Sequence, residues 1–171
     1  MSVYNKRAFI TGAYGQDGSY LAEYLLGLGY TVLGLVHEPD SKNINKVYLE
    51  GKENFSVCVG DMGHIETFLP QLKEFSPNEV YNIAAVSDLK TAKENSQYTI
   101  AINFTAFENL VAHVVKINPE VRIFQALSSR ILDAHMNGII DEGSSLSVPK
   151  NAYDEAKLDS LEKIVRPYRE K

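Results

Sequence analysis

The stretch ITGAYGQDGSYLAEYLL, beginning at Ile10, constrains this chain more than any other. Gly12, Gly15 and Gly18 fall where an apolar run gives way to an amphipathic one. A strand that hands over directly to a helix needs a tight turn, which Gly12 allows. Gly15 removes a side chain where a diphosphate would approach the main chain, and Gly18 lets the helix pack close to the strand. The free N–H groups and the positive dipole end of the helix favour an anion at that point. Gln16 and Asp17, between the second and third glycines, join them as candidate cofactor contacts. The spacing is G-x-x-G-x-x-G, a variant of the more familiar G-x-G-x-x-G. Its strand–turn–helix setting separates it from a helix start that merely tolerates glycine.

The rest of the chain repeats that alternation. RAFIT (7–11), TVLGLV (31–36), FSVCV (55–59), EVYNIAA (79–85) and VRIFQAL (121–127) read as five short strands. They are apolar throughout rather than alternating, as expected of a parallel sheet covered on both faces. Between them, Leu21, Tyr24, Leu25 and Leu28 recur at helical spacing, with Gly29 as the stop. Residues 41–50 read as a weak helix or loop. Ile65, Phe68, Leu69 and Leu72 suggest a helix that Pro70 must kink or shorten. A long helix is expected from about Ser96 to Ile117, with Ile100, Phe104, Phe107, Val111 and Val114 on one stripe. Residues 128–151 read as loop, and a final helix runs from about Ala152 toward Arg169. Right-handed crossovers then give a doubly wound α/β sheet of Rossmann-like type, ordered 3-2-1-4-5.

The 171 residues, 44% apolar and 23% charged, suit one globular domain over residues 1–171. A net charge of −5 argues against nucleic acid as a partner. Cys58 is alone, so no internal disulfide or cysteine metal set is expected, and its apolar setting predicts a buried structural thiol. No metal site is expected. With no apolar leader and no stretch judged long enough to cross a membrane, the expectation is a soluble cytoplasmic protein.

In a dinucleotide fold the end of the second strand meets the ribose. The sequence there is LVHEPD. Glu38 suits a 2′-hydroxyl and so NAD; His37 suits a 2′-phosphate or an adenine ring less well than an arginine would. Both also fit an ordinary loop. Asp61, after the third strand, is placed to meet an adenine edge, with an exposed turn aspartate as the alternative. Met62 and Ala84 complete the candidate cofactor set.

Taken in order, TGAYGQDGSYLAEYLL, GDM, PNEVYNIAAVSD, SQYT, FQALSS and NAYDEAK resemble the extended short-chain dehydrogenase/reductases. The run GQDGSYLAEYLL is most similar to the GDP-mannose 4,6-dehydratase family. The resemblance implies NADP or NAD as cofactor, a nucleotide-sugar substrate, and Ser128, Tyr153 and Lys157 as catalytic residues, with Tyr153 and Lys157 also touching cofactor. Tyr153 and Lys157 fall one helical turn apart, on one face. A free tyrosine, with a pKa of about 10, is a poor base at neutral pH, and a nearby ammonium favours its phenolate. Ser128 would orient the phenol and the substrate oxygen. The resemblance also implies a homodimer through residues 96–117 and 153–169.

The chain departs from the family pattern in three places. A glutamate two residues after the Ser/Thr, the base for loss of water, is replaced by Arg130. A guanidinium stays protonated and cannot serve as that base. Asp133 is the nearest carboxylate for it to pair with, and Asp133 and Glu142 are the candidate substitute bases. His37 replaces the arginine that meets an NADP phosphate. The family runs to about twice this length, so no substrate domain is expected here. The functional expectation is therefore an NAD(P)-binding, dehydratase-like protein impaired as a dehydratase by itself. The alternatives are a reductase or epimerase needing only Ser128, Tyr153 and Lys157, and a non-catalytic binding or oligomerisation module.

Overall fold

The computed structural model describes residues 6–38, 43–133, 138–141 and 143–169; Glu142 lies outside them. The chain divides into two compact units, Met1–Ala84 with Asn109–Gln125, and Ala85–Glu108 with Ala126–Lys171.

The first unit holds a five-stranded, all-parallel sheet: β1 (Arg7–Thr11), β2 (Thr31–Val36), β3 (Phe55–Val59), β4 (Glu79–Asn82) and β5 (Arg122–Gln125). Their order is β3-β2-β1-β4-β5, the doubly wound arrangement expected. Ala8, Ile10, Val32 and Val36 pack on one face with Ala22 and Leu25 of helix α1 (Gln16–Gly27). Phe9 points to the other face and stacks on Phe68, ring centroids 6.0 Å apart. Both faces are thus covered over β1, β2 and β4, whereas the edge strands β3 and β5 are largely exposed, with Val57, Val59 and Phe124 open to solvent.

The ends of β4 and β5 fall short of the expected strands, and side chains explain it. Thr11 Oγ1 accepts the N–H groups of Ile83 and Ala84, both at 3.0 Å, and donates to Asn82 Oδ1 at 2.8 Å. The main chain after Asn82 bonds to a side chain instead of a ladder. Asn82 Nδ2 then donates to Gln125 Oε1 at 2.6 Å, where β5 ends. At the opposite ends of the same strands, buried Glu79 accepts from Tyr81, Tyr30 and Arg122. Burial alone would raise its pKa, but those hydrogen bonds and the Arg122 charge hold it below the usual value.

Helix α1 bears out half of the expected stripe: Leu25 is buried and Leu21 packs against the core, while Tyr24 and Leu28 are exposed and Gly18, Ser19 and Ala22 face inward instead. The seam is lined by small residues because the helix sits close to the strand, so a count of large apolar residues misplaces it. Gly29 does end the helix, at φ +82°: its N–H donates to Leu26 O and that of Tyr30 to Leu25 O, a Schellman closure. Residues Ile44–Tyr48 form a 3₁₀ turn capped by Asn43. Pro70 shortens the expected helix rather than kinking it. It occupies the first turn of α2 (Leu69–Phe75), after a 3₁₀ turn at Ile65–Thr67, where its missing N–H costs nothing.

Among the described residues, the regular structure of the second unit is helix and one bridge between Leu132 and Leu146. Helix α3 (Leu89–Glu94) was not foreseen in the sequence; Asp88 caps it, accepting from Thr91 N and Oγ1 at 2.7 Å each. The long helix comprises α4 (Ser96–Ile100), a π turn (Ala101–Thr105) and α5 (Ala106–Ile117). Its buried positions step by four through Thr99, Asn103, Phe107 and Val111. That spacing drifts around an ideal helix, and the wider π turn takes up the drift. Contrary to the expectation that no stretch is so long, Ser96–Ile117 is long and apolar enough to cross a membrane. Phe107, Leu110, Val111 and Val114 are nevertheless buried within the protein.

The C-terminal helix runs as α6 (Ala152–Asp159), a second π turn (Ser160–Val165) and α7 (Arg166–Arg169). Ser160 Oγ donates to Ala156 O at 2.8 Å and to Asn103 O at 3.2 Å, joining the two π-containing helices. Asn103 also brackets Val86, accepting its N–H and donating to its carbonyl.

Candidate functional site

In the first unit the glycines do three separate jobs. Gly12 has φ +70°, and a Cβ there would lie 3.2–3.3 Å from Ala84. At Gly18 a Cβ would stand 2.2 Å from the Gly12 carbonyl oxygen, inside any permitted contact. Gly15 is different: its φ is −66°, ordinary for any residue, and a Cβ would meet only Gly12 O, at 3.1 Å. It is the N-cap of α1 and supplies no side-chain cap. The helix therefore opens with its first N–H groups uncovered by side chains and an acidic residue, Asp17, in the first turn.

A groove of about 250 Å³ lies at this turn, lined by Gly12, Tyr14, Gly15, Val36, His37, Glu38 and Asn43. Four expected residues, Gly12, Gly15, His37 and Glu38, thus come together. Gln16 and Asp17 are exposed in the first turn of α1 beside it. Asp61 is engaged in its own turn, its Oδ1 accepting from Gly63 N at 2.8 Å, and Met62 is buried; neither lines the groove.

Two lining residues carried no signal in the sequence. Tyr14 is buried, and burial raises its pKa above the usual phenol value, so it stays a neutral hydrogen-bonding group. Asn43 is placed by its capping role, and the neighbouring Asn45 ties that turn back to Tyr14 O at 3.4 Å. Cys58 is buried within β3 and burial pushes its thiol pKa up, the inert behaviour expected. Among the described residues no cluster of His, Cys, Asp and Glu could hold a metal ion.

The second unit carries Ser128, Tyr153 and Lys157. Ser128 caps a 3₁₀ turn, Ser129–Ile131, its Oγ accepting from Arg130 N at 3.3 Å. Tyr153 lies in the first turn of α6, half-buried. Lys157 is 2% exposed. Its Nζ stands 5.8 Å from the centre of the Tyr153 ring and donates to Ala126 O at 2.7 Å. Burial lowers its pKa from 10.5 to about 8, because a charged ammonium is poorly solvated there. A buried amine and a phenol are thus stacked on one helix face, one turn apart.

Arg130 does not pair with Asp133. Its Nε donates to Asp154 Oδ1 at 2.7 Å and its Nη2 to Oδ2 at 3.3 Å. Asp154, 1% exposed, also accepts from Asn151 Nδ2 at 2.9 Å and Lys150 N at 3.3 Å. Asp133 is exposed, its N–H donating to Ser145 O.

Comparison with known proteins bears on this pattern. The model of the GDP-mannose 4,6 dehydratase family matches residues 9–171. The chain belongs to that family. It is 32% identical to a GDP-mannose 4,6-dehydratase of Yersinia enterocolitica over 90% of its own length and 43% of the relative's. It is 34% identical to GDP-mannose 4,6 dehydratase 2 of Caenorhabditis elegans over 74% and 36%. The chain therefore spans less than half the length of these curated relatives. Among solved structures, UDP-glucose 4-epimerase of Thermus thermophilus in complex with NAD superposes with TM-score 0.81 at 21% identity, over 96% of this chain and 51% of that one. dTDP-glucose 4,6-dehydratase of Bacillus anthracis in complex with NAD gives 0.77 at 20%, over 96% and 50%. At such identities the likeness shows the fold. Family membership agrees with the resemblance drawn from the motifs, and places Arg130 in a lineage of dehydratases.

Proposed function

We propose that this chain binds NAD or NADP through the glycine turn and groove of its first unit, with Gly12, Gly15, Gln16, Asp17, Gly18, His37, Glu38, Asp61, Met62 and Ala84 as the contact set. Ser128, Tyr153 and Lys157 then serve proton transfer at a hydroxyl of a nucleotide-sugar, GDP-mannose or a relative. The observation that carries the reading is the glycine cradle: three positions where the main chain is bare, one with no room for a Cβ and another held at φ +70°. When bound, NAD(P)⁺ supplies the hydride acceptor. Tyr153 takes the proton of the sugar hydroxyl, Lys157 favours the phenolate by its charge, and Ser128 holds the oxygen in line. Tyr153 and Lys157 also contact the cofactor in this reading.

Full 4,6-dehydration needs a further base, which in this reading would stand at position 130. Arg130 is occupied with Asp154 and cannot abstract a proton. The protein is accordingly dehydratase-like by descent and impaired in loss of water. We further infer that residues 1–171 act together as one cofactor-binding domain, cytoplasmic and homodimeric through residues 96–117 and 153–169.

Thermal unfolding with NAD and with NADP tests this. A ligand at 100 times its dissociation constant adds about 2.7 kcal/mol to stability. A shift with either supports binding, and no shift with both ends the proposal. Incubation with GDP-mannose and the preferred cofactor should give no 4-keto-6-deoxy sugar. Any sugar oxidation seen should vanish in Tyr153→Phe.

A further inference from the structure

The pairing of Arg130 raises a question that loss of a base does not answer: what the arginine does instead. Its main chain and its side chain hold different things. Arg130 N donates to Ser128 Oγ, and Arg130 O accepts from Ser147 Oγ at 3.0 Å. The guanidinium meanwhile forks onto Asp154, the residue after Tyr153. Asp154 N in turn donates to Asn151 Oδ1 at 3.0 Å, the cap of α6. One residue thus connects the Ser128 turn to the first turn of the Tyr153 helix.

We propose that Arg130 is a positioning residue: acting through Asp154, it fixes the first turn of α6, and with it the Tyr153 side chain, relative to the Ser128 turn. Three observations support this. The contact is a two-pronged guanidinium–carboxylate pair, the geometry that fixes orientation as well as distance. Asp154 is buried although Arg130 is 41% exposed, so the carboxylate end of the pair is held in place by the protein. The guanidinium is stabilised in its charged form, first by the Asp154 hydrogen bond and then by that carboxylate's charge.

The proposal has a consequence for restoring a glutamate at this position. Asp154 is buried and ringed by donors, so Arg130→Glu alone would replace one of those donors with a second acid. Positions 130 and 154 then behave as one unit: a base is admitted at 130 only if the acid at 154 leaves. This deepens the reading of Ser128 and Tyr153 given above and rests on it.

The test uses the full chain labelled with ¹³Cζ-tyrosine, the Tyr153 resonance being assigned by its loss in Tyr153→Phe. In Arg130→Met and in Asp154→Asn the Tyr153 resonance should move and broaden, while Tyr30 and Tyr81, bonded to Glu79 in the first unit, stay in place. Arg130→Lys, which keeps one donor and the charge, should move it less than Arg130→Met. Thermal unfolding should show Arg130→Glu recovering stability when Asp154→Asn is added, which removes the acid and keeps an acceptor for Asn151 and Lys150. An unmoved Tyr153 resonance in Arg130→Met overturns the proposal, as does a further loss of stability in the Arg130→Glu, Asp154→Asn double variant. None of these readouts needs cofactor or substrate. A failure to bind NAD or NADP would therefore sink the cofactor reading and leave this result standing.

Discussion

The two units build their chemistry in opposite ways. The glycine turn works by leaving atoms out: the main chain of residues 12–18 folds on itself so tightly that only hydrogen fits at Gly18. The Ser128–Tyr153–Lys157 region works by putting atoms in: a buried amine, a phenol, a guanidinium and a buried carboxylate, each held by named partners. A turn made of main chain resists change wherever an added atom meets backbone, as at Gly18. A region made of charged side chains can be rewired by one substitution, because each group needs only a partner of opposite sign. Arg130, forked onto Asp154, is a group of that second kind.

The strongest way to break that contrast is Gly18→Val. The added Cβ meets a backbone carbonyl, which cannot swing aside like a flexible side chain. The expected loss is about 3 kcal/mol or more, at the upper end for overpacking, with the first crossover disrupted. Urea unfolding would measure it. A loss below 1 kcal/mol would mean that the turn has slack, and that the glycines are not there for want of space.

Next in size is the pH dependence carried by Lys157. Its folded-state pKa of about 8 lies below its ordinary value of 10.5. Between those values the unfolded chain binds a proton that the folded chain does not, so stability rises with pH. Below about pH 8 both states are protonated and the burial cost is present in full. Over the window the gain is on the order of 3 kcal/mol. It should appear as a slope in the wild-type chain that Lys157→Met lacks, read from unfolding free energies at a series of pH values. Parallel profiles would mean that Lys157 is better solvated than its burial implies.

The same contrast decides how much could be read from sequence. β1, β2 and β3 have the bounds that their apolar runs suggest, because the strand ends are set by local turns. β4 and β5 overrun in the sequence because nothing in EVYNIAA reveals that Thr11, far away in the chain, intercepts the N–H groups of Ile83 and Ala84. The α1 stripe is half misread because Gly18, Ser19 and Ala22 bury little area and so weigh little in a hydrophobic pattern. Helix α3 is short and carries two lysines and a glutamate; its one signal is the Asp88-x-x-Thr91 cap. At the candidate site, the turn is legible because glycine spacing is local. The partner of Arg130 is not: Asp133 is three residues away and Asp154 twenty-four, and only the folded chain ranks them.

That ranking gives a smaller prediction. Asp154→Ala should cost about 1–3 kcal/mol, since the Asn151 amide, the Lys150 N–H and the guanidinium all lose an acceptor at a buried point. Asp133→Ala, at an exposed side chain, should stay within about 0.5 kcal/mol. Paired denaturation curves settle it; equal costs would argue that the Asp154 network is no tighter than the surface.

The smallest effect on stability, and the most informative on function, is expected of Gly15→Ala. The backbone at Gly15 already has φ −66°, so alanine needs no strained conformation. Replacing glycine there narrows the unfolded ensemble, a gain of about 0.4–1 kcal/mol. Against it stands the 3.1 Å approach of the new Cβ to Gly12 O, which a small shift relieves. The two nearly cancel, and the apo protein should unfold close to the wild-type temperature. Yet the methyl group would stand where a diphosphate approaches the open end of α1, so the stabilisation by NAD or NADP should be lost. That separation is what a turn built by omission predicts: one glycine required by the fold, another free of the fold and reserved for the ligand. If Gly15→Ala unfolds the chain as Gly18→Val does, or keeps its full response to dinucleotide, the division of labour between the glycines is wrong.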